Sequence, residues 1–445
     1  MNWIFLALVV VSVLTAAFTG SMQQLTDATL ASGRSAADLA LSLIGQMTLW
    51  LGLFGVVREA GLLKSVGNFV KPVMTRLFPE VPADHPAMGA MIMNIAANML
   101  GLGNAATPFG LKAMAELDTL NERKGVATNA MALFLAINTS GMAVLPLGVV
   151  AVRAAVGSKD AAGIIVPTFL ASACSTVCAV LAAKLLQRRA IFSVERAGAV
   201  DVDAARHKAI DAEALQKAEA LATLTPEAAR WRVAATWAVL LALLVALVRH
   251  LLAADGPTFE TVRAMLSGWL LPVLILVIVT VGFGRQVKVY EAFIAAAKEG
   301  FQTCVTIIPF LVGMLVAIGM FRASGAMEVL VSALTPLVAP LGFPAEALPM
   351  ALIRPLSGSG ALAVMSEALK TYGPDSFLGY LVSTINGGTE TTFYVLALYF
   401  GAVQVKAMRH TLAACVVADL AGPISALLAC RFFFAGVPLM MIAGA

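Results

Sequence analysis

The chain has 445 residues, of which 60% are hydrophobic and only 13% charged, with mean hydropathy +0.89. Such a composition excludes a soluble domain and points to a polytopic helical membrane protein. The formal net charge of +4 calls for no nucleic acid, because the basic residues gather in loops between apolar runs. The five cysteines (Cys174, Cys178, Cys304, Cys415 and Cys430) all lie inside apolar runs and read as small buried hydrophobes, not as a disulfide framework. No histidine or acid stands near Cys174 and Cys178, so no metal is expected.

In chain order, residues 3–19 form the first apolar run, read as a retained helix because no Lys or Arg precedes it. A second run covers 39–57. Between Gly61 and Phe78 apolar residues fall at helical spacing among Lys64, Lys71 and Arg76, which predicts a helix lying in the membrane interface. Residues 86–103 form a small-residue helix, followed by the turn Asn104–Pro108 and a short arm over 109–117. An arm of that length reaches only about 14 Å, half a bilayer, and predicts a re-entrant hairpin. A span over 126–152 is interrupted at Ile137-Asn138-Thr139-Ser140-Gly141, and another apolar run covers 164–186.

Residues 187–230 are densely charged and read as a cytoplasmic connector between two halves, 1–186 and 231–445. Apolar runs resume at 233–252, 266–284 and 305–321. The stretch Ser383–Thr392 then places Asn386, Gly387, Gly388 and Glu390 midway along a span. A carboxylate at that depth costs about 2.5–3.5 kcal/mol on insertion scales unless it faces a cavity or a partner. Adjacent glycines are poor helix formers, so the span is expected to break at Gly387-Gly388.

The second half repeats the first. Arg58, Gly61 and Pro72 recur at one common offset as Arg322, Gly325 and Pro336, and Ile137-Asn138 recurs as Ile385-Asn386. With 187–230 cytoplasmic, the extra run at 233–252 inverts the second unit, and every basic loop then obeys the positive-inside rule. The expectation is an all-α fold of two inverted repeats with about nine crossings and two re-entrant hairpins, N-terminus cytoplasmic and C-terminus outside.

Residues 77–82 (Leu-Phe-Pro-Glu-Val-Pro) and 101–110 (Gly-Leu-Gly-Asn-Ala-Ala-Thr-Pro-Phe-Gly) resemble spore maturation protein A. Residues 353–360 (Ile-Arg-Pro-Leu-Ser-Gly-Ser-Gly) and 387–394 (Gly-Gly-Thr-Glu-Thr-Thr-Phe-Tyr) resemble spore maturation protein B. The whole chain outside the connector resembles the two fused end to end. Each half is similar to the nucleoside recognition, or Gate, class, distantly related to concentrative nucleoside transporters. The resemblance implies a bacterial inner-membrane protein with a transporter-like fold.

Helix ends exposed at a break can hold an anion at their N-termini and a cation at their carbonyls. The candidate solute-binding residues are therefore Asn104, Thr107, Asn138, Thr139 and Ser140 in the first half. In the second they are Arg354, Ser357, Ser359, Asn386, Thr389, Glu390 and Thr391. Glu390 and Asp419 are the candidate ion-coupling carboxylates, with H⁺ or Na⁺ as the ion and no other cofactor. The bland alternative is that these small polar groups only satisfy one another and the freed backbone, with Glu390 in a structural ion pair with Arg354. No hydrolase-like pairing and no phosphate-binding loop occurs, so no enzyme is expected. The reading is a secondary transporter of a small polar or anionic metabolite, nucleoside-like or amino-acid-like, working by movement of one repeat against the other. Its partners are the solute and the lipid bilayer, with a homo-oligomer open; the rival is a membrane scaffold in envelope or spore maturation.

Overall fold

The computed structural model describes residues 2–100, 106–193, 230–253 and 259–440. The connector expected at 187–230 therefore lies largely outside the described residues, as does Asn104. Every regular element described is helical, and the one strand-like feature is an isolated bridge between Val126 and Ala407.

The first half contains α1 (Asn2–Thr19), α2 (Met22–Glu59), α3 (Leu62–Leu77), α4 (Pro86–Met99), α5 (Thr107–Thr119), α6 (Asn129–Ser140), α7 (Leu147–Ala155) and α8 (Ile165–Leu186). The second contains α9 (Arg230–Ala253), α10 (Phe259–Gly284), α11 (Val289–Ala323), α12 (Ala326–Val338), α13 (Leu348–Ile353), α14 (Gly358–Tyr372), α15 (Phe377–Gly388), α16 (Thr392–Ala402) and α17 (Thr411–Phe433). The duplication extends to helix ends. Gly61 before α3 and Gly325 before α12 both take left-handed φ, 65° and 83°. Thr128 caps α6 by accepting from the Met131 N–H, and Ser376 caps α15 by accepting from the Gly379 N–H. A Ser or Thr oxygen there satisfies a donor that the helix cannot.

Among the described residues, three stretches are helical and apolar for long enough to cross a membrane: Ala161–Leu186, Arg230–His250 and Thr411–Phe433. Leu315–Ala323 and Ala326–Pro336 pass the same test jointly, bent by 80°. The expected crossings at 126–152 and around Ser383–Thr392 are each split into two short arms, α6 with α7 and α15 with α16. This is an all-helical polytopic membrane protein.

The chain forms two compact units that cut across the sequence halves. One comprises residues 1–46, 114–208 and 303–445, the other 47–113 and 209–302. At the centre of the first, α6, α8, α15 and α17 pack on one another, two from each repeat. The closest pairing is α8 on α17. It follows from small residues at helical spacing: Ala171, Ser172, Ser175, Ala179 and Ala182 are buried on α8, and Ala414, Cys415, Ala418, Gly422 and Ala426 on α17. Small side chains let two backbones approach and bond across the interface, and Ser175 Oγ donates to the Ala418 carbonyl at 2.9 Å.

In the second unit α3 packs on α4, leaving Phe69 and Val73 of α3 exposed, as an interfacial helix requires. His85 caps α4 through Nδ1, which accepts from the Ala87 N–H. Asn94 Nδ2 donates to the Ala106 carbonyl at 2.9 Å, tying α4 to the start of α5. Ala96, Ala97, Ala106 and Phe109 bury together there. Arg285 donates to the Ala60 carbonyl and Ser65 Oγ.

Candidate functional site

The two interrupted spans meet inside the first unit. Helix α6 ends at Ser140, and Gly141 turns the chain away with φ 56°. The polar residues of the last turn fold back on their own helix. Asn138 Nδ2 donates to the Phe134 carbonyl (2.9 Å), Thr139 Oγ1 to Ala136 (3.1 Å) and Ser140 Oγ to Ile137 (2.8 Å). Ser140 Oγ also shares a 2.9 Å hydrogen bond with Thr176 Oγ1 of α8.

The second break falls later than the sequence suggests. Helix α15 runs through Gly387-Gly388, and the interruption is Thr389–Thr391. Gly387 is there for packing: a Cβ on it would stand 2.9 Å from Thr168 Cγ2 and 3.0 Å from Pro146 Cβ, whereas one on Gly388 would meet nothing closer than 3.7 Å. The breaks touch where the Glu390 N–H donates to the Thr139 carbonyl at 2.9 Å. Gly141 lies against the same peptide, and a Cβ there would come within 3.1 Å of the Glu390 nitrogen and 3.2 Å of the Thr389 carbonyl carbon. Gly141→Ala combines that crowding with a left-handed φ and should destabilise the protein by about 1–3 kcal/mol. The check is a melting curve in detergent; an unchanged midpoint would mean that the breaks do not rely on this contact.

Arg354, at the turn between α13 and α14, gathers the rest. Its guanidinium donates to Thr391 Oγ1 at 3.2 Å and to the Thr389 carbonyl. Nη2 stands 3.6 Å from Glu390 Oε2. The Phe393 N–H closes the break by donating to the Pro355 carbonyl at 3.1 Å. Ser357 caps α14 by accepting from the Gly360 N–H (3.0 Å), with Ser359 Oγ 3.4 Å away. Gly358 adjoins both Thr391 Oγ1 and Arg354 Nη1. Thr392 Oγ1 donates to Asp419 Oδ1 at 2.8 Å, and Asn386 Nδ2 points to Met365 Sδ at 3.2 Å. The burial is uneven: Arg354 is 8% exposed, whereas half of the Glu390 side chain is open. Glu390 is thus not the deeply enclosed carboxylate that its sequence position suggests, because the chain at Thr389–Thr391 is extended. Thr107 belongs to the other unit. Glu367 accepts from Arg322 at 3.3 Å.

A description of nucleoside recognition, named Gate, matches residues 40–158 and 304–406. Spore maturation protein B of Bacillus subtilis (strain 168) is 44% identical over 169 residues, 38% of this chain and 95% of that protein. Spore maturation protein A of the same strain is 37% identical over 180 residues, 40% of this chain and 92% of that protein. The chain belongs to the Gate family of spore maturation proteins. Each relative is matched nearly end to end while covering about two-fifths of this Gate chain, as a fusion of two such proteins requires. No solved structure matches it significantly.

In this Gate protein two clamps that are not apparent from the sequence join the repeats, one at each end of the four central helices. At one end Arg153 of α7, fully buried, donates to the Pro374 carbonyl (2.7 Å), the Asp160 carbonyl (3.1 Å), Ser158 Oγ (3.2 Å) and Ser383 Oγ (3.3 Å), and pairs with Asp375 at 3.1 Å. It also covers the Tyr380 ring at 4.4 Å, and the Tyr380 hydroxyl donates to Asp160 Oδ2. At the other end the Lys406 and Ala407 N–H groups donate to the Gly125 carbonyl, and Ala127 N–H to Ala407. Arg409 donates to the Ala127 and Phe192 carbonyls. A lone Arg after Leu-Gly-Val-Val-Ala-Val was the available signal for the first clamp. With both ends tied, the repeats do not slide past one another without breaking these bonds.

His410 sits in the second clamp, and among the described residues neither ring nitrogen has a hydrogen-bond partner. Burial first, and the charge of Arg409 second, lower its pKa from 6.5 to about 4. The folded ring takes its proton later than the unfolded one, so its contribution to stability is complete above 6.5 and is lost as pH falls towards 4. The melting temperature should therefore drop across that window, and His410→Gln should flatten this part of the profile. An identical profile in the variant would exclude His410.

Proposed function

We propose that this chain is a secondary transporter of the bacterial inner membrane that moves a small polar or anionic metabolite, coupled to H⁺ or Na⁺. One observation carries the reading: a buried arginine, Arg354, lies where two interrupted spans meet, and its carboxylate partner is half open. Membrane proteins retain a buried charge of this kind chiefly along solute or ion paths, and interrupted helices supply the dipole ends and free backbone that bind solutes. The Gate description, nucleoside recognition, favours a nucleoside-like solute; Arg354 favours one with a carboxylate or phosphate.

The expected orientation, N-terminus inside and C-terminus outside, gains support from which loops touch. Residues 125–127, next to the basic pair Arg123-Lys124, bond to the basic stretch 406–409, as two loops on one side of the membrane would. Residues 158–160 and 374–375, at the opposite ends of the two interrupted spans, meet at Arg153. The Phe377 and Leu378 N–H groups, at the same end, donate to the Pro438 and Leu439 carbonyls.

The test is thermal stability of the purified protein against nucleosides, amino acids, dicarboxylates and Na⁺, with Glu390→Gln alongside. A saturable shift in the native protein, altered in the folded variant, is the expected result. No shift with any compound would favour the second reading, a membrane scaffold in envelope or spore maturation. That reading draws on Asn138, Thr139 and Ser140, whose side chains already bond to carbonyls of their own helix.

A further inference from the structure

We propose that Glu390 is the resident counter-ion of Arg354 and leaves it by taking up a proton, so that each monoanionic solute group, such as a carboxylate, binds together with one H⁺. This rests on the anion-binding reading of Arg354 and deepens it by naming the coupling ion and the order of exchange.

The two partners of the ion pair are held very differently. Arg354 is enclosed and pinned by neutral groups, the Thr389 carbonyl and Thr391 Oγ1, and its Nε has no partner. A buried cation fixed in this way keeps its charge and must retain a counter-charge. Glu390 is anchored only through its backbone N–H on Thr139. Its carboxylate stands 3.6 Å from the guanidinium, beyond hydrogen-bonding distance, and half of it is open. The carboxylate can swing away while its backbone stays.

The space it would vacate suits another anion. Helix α14 starts at Gly358, which is exposed and carries no Cβ, close to Arg354 Nη1 and Thr391 Oγ1. The first N–H groups of this 15-residue helix have the polarity that favours negative charge. They supplement an arginine whose Nε is already unpartnered and more than nine-tenths buried.

Charge balance then supplies the proton. In the resting site Arg354⁺ and Glu390⁻ cancel. A solute anion that takes Glu390's place would leave two negative groups close together near one cation in a low-dielectric setting, which raises the proton affinity of the displaced carboxylate. Arg354⁺·Glu390⁻ plus A⁻ plus H⁺ becomes Arg354⁺·A⁻ plus neutral Glu390, so the Arg354 pair carries no net charge before or after the exchange. The other groups facing it are Asp419 and Cys415 of α17. Helix α6 contributes the Thr139 carbonyl, and α8 lines Gly387 and Gly388 with Thr168, Ala171 and Ser172, none of which titrates as a carboxylate.

The experiment uses the full chain in detergent with acetate and formate as probes, both almost wholly monoanionic between pH 6 and 8, and reads affinity from the thermal shift. The wild type should bind them about tenfold more tightly for each unit fall in pH, as uptake of one proton per anion demands. Glu390→Gln, a mimic of the neutral acid, should bind them tightly at every pH. Should that variant fail to fold, Glu390→Asp keeps the carboxylate and should keep the slope. A pH-independent affinity in the wild type overturns the proposal while leaving the anion site standing. A slope that survives Glu390→Gln and vanishes in Asp419→Asn also overturns it. If neither probe binds the wild type or Glu390→Gln at any pH, the proposal fails, and with it the assignment of Arg354 as an anion site.

Discussion

Arg153→Leu should destabilise the folded protein by about 3–5 kcal/mol, the usual consequence of breaking a buried, hydrogen-bonded charge pair by removing one partner. Leucine fills part of the volume but replaces none of five polar contacts, four of them to residues outside α7's own turn. It also strips the cation from the Tyr380 face and leaves Asp375 with only Ser158 Oγ and the Lys159 N–H. Lysine should rescue little, because a single ammonium cannot span the forked arrangement. A double-mutant cycle with Asp375→Asn, read from melting in detergent, separates the pair from the rest of the network. A loss below about 1 kcal/mol, the level of an exposed pair, would mean that the clamp does not hold the repeats together.

The second large effect concerns binding, not stability. Arg354→Gln should reduce the affinity for an anionic solute by about 2–5 kcal/mol, roughly 30-fold or more, as for the loss of one partner in a desolvated charge pair. Glu390 is half open where Asp375 is mostly enclosed, so the fold should suffer less than with Arg153→Leu. The measurement is the acetate-dependent or formate-dependent melting shift. Retention of the wild-type shift in Arg354→Gln would show that the anion sits elsewhere.

Much of this was readable from the sequence because the duplication is visible at single residues. The recurrence of Gly61 at Gly325 corresponds to two left-handed turns, and the recurrence of Ile137-Asn138 at Ile385-Asn386 to two helices that stop partway across. The residues at the second break were also identifiable, since Thr389, Glu390 and Thr391 have few roles in an apolar span. The position of the break was not, because a pair of glycines can end a helix or let it approach a neighbour, and Thr168 and Pro146 decide between these only in three dimensions. Nor was Arg153 legible. A basic residue at the end of an apolar run ordinarily reaches into water. Its burial depends on Pro374 and Asp375, 221 and 222 positions further along the chain.

Those separations set a timetable for synthesis. Arg153 emerges from the ribosome 222 residues before Asp375, and Ala127 emerges 282 residues before Arg409. At about 5–20 residues per second the wait is roughly ten seconds to a minute. Throughout that interval the first repeat holds an arginine at the membrane boundary whose carboxylate has not yet been made, and the charged connector lengthens the delay. The nascent chain must keep that end of α7 wet, or shielded by the insertion machinery, until the second repeat arrives.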